Sequence, residues 1–154
     1  ISAMFNTITS KKICLFGFAF KKDTGDTRET AAAYVAKYLL DEDAIITIYD
    51  PKVEEADMWM EFKYTLGITE ETHPNLKKSI VLVSDPYEAA KDAHAIAIMT
   101  EWDEFKDYDY QKIFNNMTKP AFMFDGRNIL DHQALFDIGF EVQCIGKQLP
   151  SHFD

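Results

Sequence analysis

Six short strand-like runs, separated by stretches with helical character, limit what this chain can fold into more than any other feature. They are Ile13 to Phe16, Ile45 to Tyr49, Ile80 to Val83, Ala95 to Met99, Ala121 to Phe124 and Glu141 to Ile145. Most are continuous apolar stretches without polar alternation, the pattern of strands covered on both faces. Between the first two, Arg28 to Leu40 carries an apolar stripe at Ala32, Val35, Ala36 and Leu39, spaced for a helix lying on a sheet. Asp26 and Glu29 read as a capping pair at its start, and Pro51 closes the second strand. Further helices are expected at Pro86 to Ala90, near Tyr110 to Met117 and at His132 to Ile138. Residues 52 to 78, with Trp59, Phe62 and Tyr64 among charges, read as a helical piece and an irregular insertion. Strands that alternate with helices are joined by crossovers, which cover both faces of the sheet. The expected fold class is α/β: a doubly wound, mostly parallel six-stranded sheet with helices on both faces, Rossmann-like.

Residues 1 to 10 place Ile1, Met4, Phe5 and Ile8 on one side of a helix, which reads as the end of a connecting helix arriving from upstream. Residues 11 to 154 are then one domain, of ordinary size for a single core. A first residue other than Met suggests a piece of a longer gene product. The formal charge of -10 sets the overall field against nucleic acid and anionic membrane surfaces, so neither is an expected partner. Any phosphate must be held by a local basic cluster. Cys14 and Cys144 both lie in apolar surroundings and read as small buried hydrophobes in a reduced, cytoplasmic setting. His73, His94, His132 and His152 are scattered without metal-ligand spacing, and no metal site is expected.

Ligands of doubly wound folds sit beyond the carboxyl ends of the strands, near the reversal in strand order. Here those ends are Gly17 to Asp26, Asp50, Ser84-Asp85, Thr100 to Asp103 and Asp125 to Asn128. The first loop is not G-x-G-x-x-G, because Gly17 alone matches a fingerprint glycine and Phe18 to Phe20 would block the approach of a pyrophosphate. It does bring Lys21, Lys22 and Arg28 to the start of a helix, where free N–H groups and the dipole favour an anion. Two readings fit: a phosphate site, or a solvated loop whose charges pair with Asp23, Asp26 and Glu29. Arg127, after the fifth strand, is either a ligand contact through its planar fork or a surface residue of a turn that needs Gly126. Glu101 and Asp103 could form an acid/base pair, or the loop could be a turn anchored by Trp102. Asp50 could bind a ribose or serve a cap or turn. No residue pattern for a catalytic nucleophile is present.

Taken in order, Gly17 to Glu29, Ile48-Tyr49-Asp50-Pro51, Asp85-Pro86-Tyr87, Thr100-Glu101-Trp102 and Phe124-Asp125-Gly126-Arg127 resemble the UDP-glucose 6-dehydrogenases of the UDP-glucose/GDP-mannose dehydrogenase family. The likeness runs over nearly the whole chain and implies its carboxy-terminal UDP-sugar-binding domain. It further implies NAD-dependent oxidation of UDP-glucose to UDP-glucuronate in two hydride transfers through a cysteine-bound intermediate, by a homo-oligomer in the full-length enzyme. On this resemblance Phe20, Lys21 and Arg127 contact the UDP-sugar, and Arg28 reaches the NAD held mainly by another domain. The family's catalytic Cys, Lys and Glu have no counterparts here, so the chain alone is expected to be inactive. The equivalent domain of a GDP-mannose or UDP-N-acetyl-hexosamine dehydrogenase, and a free-standing nucleotide-binding module, are the alternatives.

Overall fold

A computed structural model describes residues 9–19, 31–144 and 151–152. Six strands, β1 (Lys12–Phe16), β2 (Ile45–Tyr49), β3 (Ile80–Leu82), β4 (Ala95–Ile98), β5 (Phe122–Asp125) and β6 (Glu141–Cys144), form one sheet in the order β3-β2-β1-β4-β5-β6. Every pairing is parallel, where mostly parallel was expected. Each strand lies within one residue of its expected start, and the residue after Cys144 is outside the described set.

The helices are α1 (Ala31–Asp41), α2 (Glu55–Leu66), α3 (Leu76–Ser79), α4 (Pro86–Ala90), α5 (Tyr110–Asn115) and α6 (His132–Ile138), with a 3-10 turn at Asp103–Lys106. From β1 the chain steps outward through β2 to β3, then returns to β4 and steps the other way through β5 to β6. Crossovers of one hand therefore place α1 to α3 on one face and α4 to α6 on the other. In keeping with this, α1 touches α2, α5 touches α6, and α4 lies against β1 and β2. The stretch read as a helical piece and an irregular insertion holds two helices. In α2 the polar residues hide the period, but Met58 and Phe62 are buried and Gly67 ends the helix in the left-handed conformation at φ 67°, its N–H returning to Lys63 O.

Local chemistry starts the later helices. Asp85, Asp109 and Asp131 each precede one and accept a backbone N–H from Tyr87, Lys112 and Ala134 respectively, at 3.2, 3.1 and 3.1 Å. Pro86 follows its cap at the first helical position, where its missing N–H costs nothing. The Asp26–Glu29 capping pair and Arg28, the expected first residue of the first helix, lie outside the described residues.

β1 and β4 occupy the middle of the sheet and supply much of the core: Cys14, Leu15, Phe16, Ile96 and Ile98 are all fully buried. Cys144, on the edge strand β6, is only half-buried, so the expectation of two buried thiols holds for Cys14 alone. An edge strand has a neighbour on one side only, and its last residue borders the rim.

Candidate functional site

The order of the strands reverses between β1 and β4, and because all six run parallel their carboxyl ends share one rim. Beyond that reversal lies the crevice in which doubly wound folds take ligands.

The chain leaves β1 through Gly17, at φ 97°, whose N–H donates to Tyr49 O at 2.7 Å. Phe18 and Ala19 follow and are buried, 0% and 1% exposed. Their amides both donate to Asp50 Oδ2, at 2.8 and 3.0 Å. The indole N–H of Trp102, from the loop after β4, reaches the same oxygen at 3.1 Å. Asp50 Oδ1 accepts the amides of Lys52 and Val53 at 2.8 and 3.1 Å. Thr100, also after β4, donates its hydroxyl to Ala19 O at 2.9 Å. One buried carboxylate thus ties together the loops leaving β1, β2 and β4. The turn reading of Asp50 is the one realised, with a reach greater than a local cap. Trp102 anchors its turn as expected.

Two strands along from β1, a second buried carboxylate organises the turn after β5. Asp125 accepts the amides of Arg127 and Leu130 at 3.3 and 2.8 Å and pairs with His132 Nε2 at 2.8 Å. Gly126 is needed because a Cβ there would stand 2.9 Å from Ile98 O, not because of a left-handed backbone; that conformation falls to Asn128, at φ 58°. Arg127 is exposed on this rim. β1 and β5 are separated only by β4, so their axes are about 10 Å apart, a span a nucleoside diphosphate can bridge. Phe20, Lys21, Lys22 and Arg28 lie outside the described residues, so Arg127 is the one expected ligand contact that the structure places.

Beside these loops Glu104 Oε2 accepts the Tyr49 hydroxyl at 2.9 Å and that of Tyr108 as well. Burial first, and the Glu104 carboxylate second, push the Tyr49 phenol up to about 12. Both tyrosines therefore stay neutral donors. A cavity of about 400 Å³ opens between the starts of α5 and α6, with Tyr108, Tyr110, Leu130 and Leu135 in its wall. Neither Gly17 nor Arg127 lines it.

The rim can bind and orient, but it carries no nucleophile among the described residues. Cys14 is fully buried in β1, and burial pushes its thiol up to about 12. Nor does the rim fit a dinucleotide in the usual manner. The glycine cradle is replaced by buried Phe18 and Ala19, and the acid at the end of β2 points its oxygens at protein donors. Sequence reasoning missed Thr100 and the reach of Asp50; the signal was the placement of Asp50 and Thr100-Glu101-Trp102 at strand ends, whose proximity only the strand order reveals.

A parallel sheet of this order, with its strand-end loops gathered at one rim, defines a doubly wound domain of the ligand-binding kind, without a glycine cradle after β1. The UDP-binding domain of the UDP-glucose/GDP-mannose dehydrogenase family matches residues 14–132, and the chain belongs to that family. It is 54% identical to UDP-glucose 6-dehydrogenase 1 of Glycine max over 97% of this chain and 32% of the relative. It is 53% identical to UDP-glucose 6-dehydrogenase 2 of Arabidopsis thaliana, again over 97% of this chain and 32% of the relative. The chain thus spans about a third of the length of these relatives. Among solved structures, the NDP-N-acetyl-D-galactosaminuronic acid dehydrogenase of Methanosarcina mazei has the same fold, at a TM-score of 0.72 and 20% identity over 92% of this chain and 26% of that one.

Proposed function

We propose that this chain is the UDP-sugar-binding domain of an NAD-dependent UDP-glucose 6-dehydrogenase, which oxidises UDP-glucose to UDP-glucuronate in two hydride transfers. The observation that carries the proposal is the 54% identity to such an enzyme across 97% of the chain. The exposed Arg127, on the same rim as the exit from β1, agrees with it. Arg127, Phe20 and Lys21 contact the nucleotide sugar in this reading, and Arg28 reaches toward NAD. The guanidinium suits a diphosphate, which it can grip with two parallel hydrogen bonds.

The hydride chemistry belongs to NAD. In this reading NAD is held mainly by another part of the full-length protein, which agrees with the missing glycine cradle after β1 and with the protein donors that occupy Asp50. This domain's share is to bind the nucleotide sugar and orient it. The full-length enzyme is a cytoplasmic homo-oligomer in this proposal.

Titration of the chain with UDP, UDP-glucose and GDP-mannose tests the reading. A lone domain holding one wall of a crevice has fewer contacts to offset the cost of orienting its ligand, so UDP binding weaker than about micromolar is expected. UDP-glucose should bind in preference to GDP-mannose. The reverse preference would assign the domain to another sugar, and absence of any uridine nucleotide binding would end the proposal. With NAD and UDP-glucose together, the chain alone should form no NADH above a protein-free blank.

A further inference from the structure

In dinucleotide folds the acid that ends the second strand faces the ligand and takes a ribose hydroxyl. Asp50 stands at that place and faces inward, 7% exposed. Its two oxygens receive five protein N–H groups, from Phe18, Ala19, Trp102, Lys52 and Val53. A carboxylate offers about four lone-pair directions, so no capacity is left for a ligand hydroxyl.

The donors are not a random set. Phe18 and Ala19 are the last described residues before Phe20 and Lys21 in the chain. Ala19 is held at both ends of its backbone, its N–H by Asp50 and its carbonyl by the Thr100 hydroxyl. Trp102 brings the exit loop of β4 to the same Oδ2, which registers the two walls of the switch-point crevice against each other. The sheet does not depend on this arrangement, because β1 is already paired along its length with β2 and β4.

We propose that Asp50 is a positioning residue for nucleotide-sugar binding: through its bonds to Phe18, Ala19 and Trp102 it sets the direction in which the chain leaves β1 toward the ligand and fixes that exit relative to β4. The assignment rests on the functional reading above. It requires a charged, all-acceptor group. In Asp50→Asn, whichever oxygen becomes NH2 meets at least two N–H donors head-on.

The test compares Asp50→Asn and Trp102→Phe with wild type, by UDP titration of the chain and by steady-state kinetics of the full-length enzyme. Asp50→Asn should keep its far-UV circular dichroism, weaken UDP binding and raise the KM for UDP-glucose about tenfold, and leave kcat within about twofold, as expected when binding contacts are misplaced. Trp102→Phe removes a single donor and should act in the same direction by about threefold. A folded Asp50→Asn with wild-type affinity overturns the proposal; so does wild-type affinity in Trp102→Phe if Asp50→Asn does not fold. Amide exchange in the ligand-free wild type is an independent reading: Phe18 and Ala19 should exchange slowly, and fast exchange at both would contradict pre-positioning. A wild type that binds no UDP sinks the functional reading, whereas normal wild-type binding with unaffected variants removes only the role of Asp50.

Discussion

Gly17 lies against Thr100 with no space for a side chain between them: a Cβ on Gly17 would stand 2.5 Å from Thr100 Cβ and 2.6 Å from its Oγ1. Gly17 directly follows β1 and Thr100 stands two residues after β4, so backbone and side chain meet where the two central strands end. The glycine is required twice, since its φ of 97° is also strained for any other residue. Gly17→Ala should therefore lower unfolding free energy by about 2 to 5 kcal/mol, combining backbone strain with overpacking. Urea denaturation of the two proteins measures this, and a loss below about 1 kcal/mol would show that the contact relaxes freely.

Arg127 separates binding from folding. Its side chain is exposed, so Arg127→Ala should change stability by less than about 0.5 kcal/mol. The same change should raise the KM of the full-length enzyme for UDP-glucose about tenfold or more by removing a charge-assisted pair. Arg127→Lys should recover only part of this, because a point charge cannot replace a planar fork. An unaltered KM in the alanine variant would take Arg127 out of the site.

Asp125 behaves oppositely. It is fully buried, with two backbone donors and His132 as partners. Asp125→Ala leaves those donors without an acceptor and should cost about 2 to 4 kcal/mol of stability. His132→Ala, which deletes one partner of three, should cost less. Equal losses in thermal or urea unfolding would mean that the His132 pair, not the turn amides, accounts for the effect.

The buried thiol makes an alkaline prediction. Burial raises Cys14 from its ordinary 9.0 to about 12, and Tyr49 rises from 10.0 to about 12 for the same first reason. Both groups bind their protons more tightly folded than unfolded, so their contribution to stability is whole below 9.0 and drains away as pH climbs toward 12. The melting temperature should hold from neutrality to that lower bound and then fall. In the native protein at pH 8, peptide mapping after treatment with a thiol reagent should find Cys14 unmodified. Rapid labelling of Cys14 without unfolding would contradict its burial.

Much of the architecture was legible because the signals that set it are local. Apolar runs such as Ile13 to Phe16 and the stripe Ala32, Val35, Ala36 and Leu39 report burial through spacing alone. The aspartates before α4, α5 and α6 act on amides two or three residues away. The helix α2 was harder to read because charged side chains interrupt its apolar positions, so Met58 and Phe62 could not mark a face by themselves.

At the site the balance shifts. Sequence alone established which residues end the strands, that a glycine cradle is missing, and that Arg127 follows the fifth strand, since each of these is a matter of adjacency in the chain. Only tertiary structure decided that Asp50 turns from a ribose-binding position into a clamp on Phe18, Ala19 and Trp102, that Gly17 answers to Thr100 and Gly126 to Ile98, and that Cys144 stays half-buried. Those contacts join residues on different strands, and which strands become neighbours depends on the order in which the whole sheet assembles. No local pattern encodes that order.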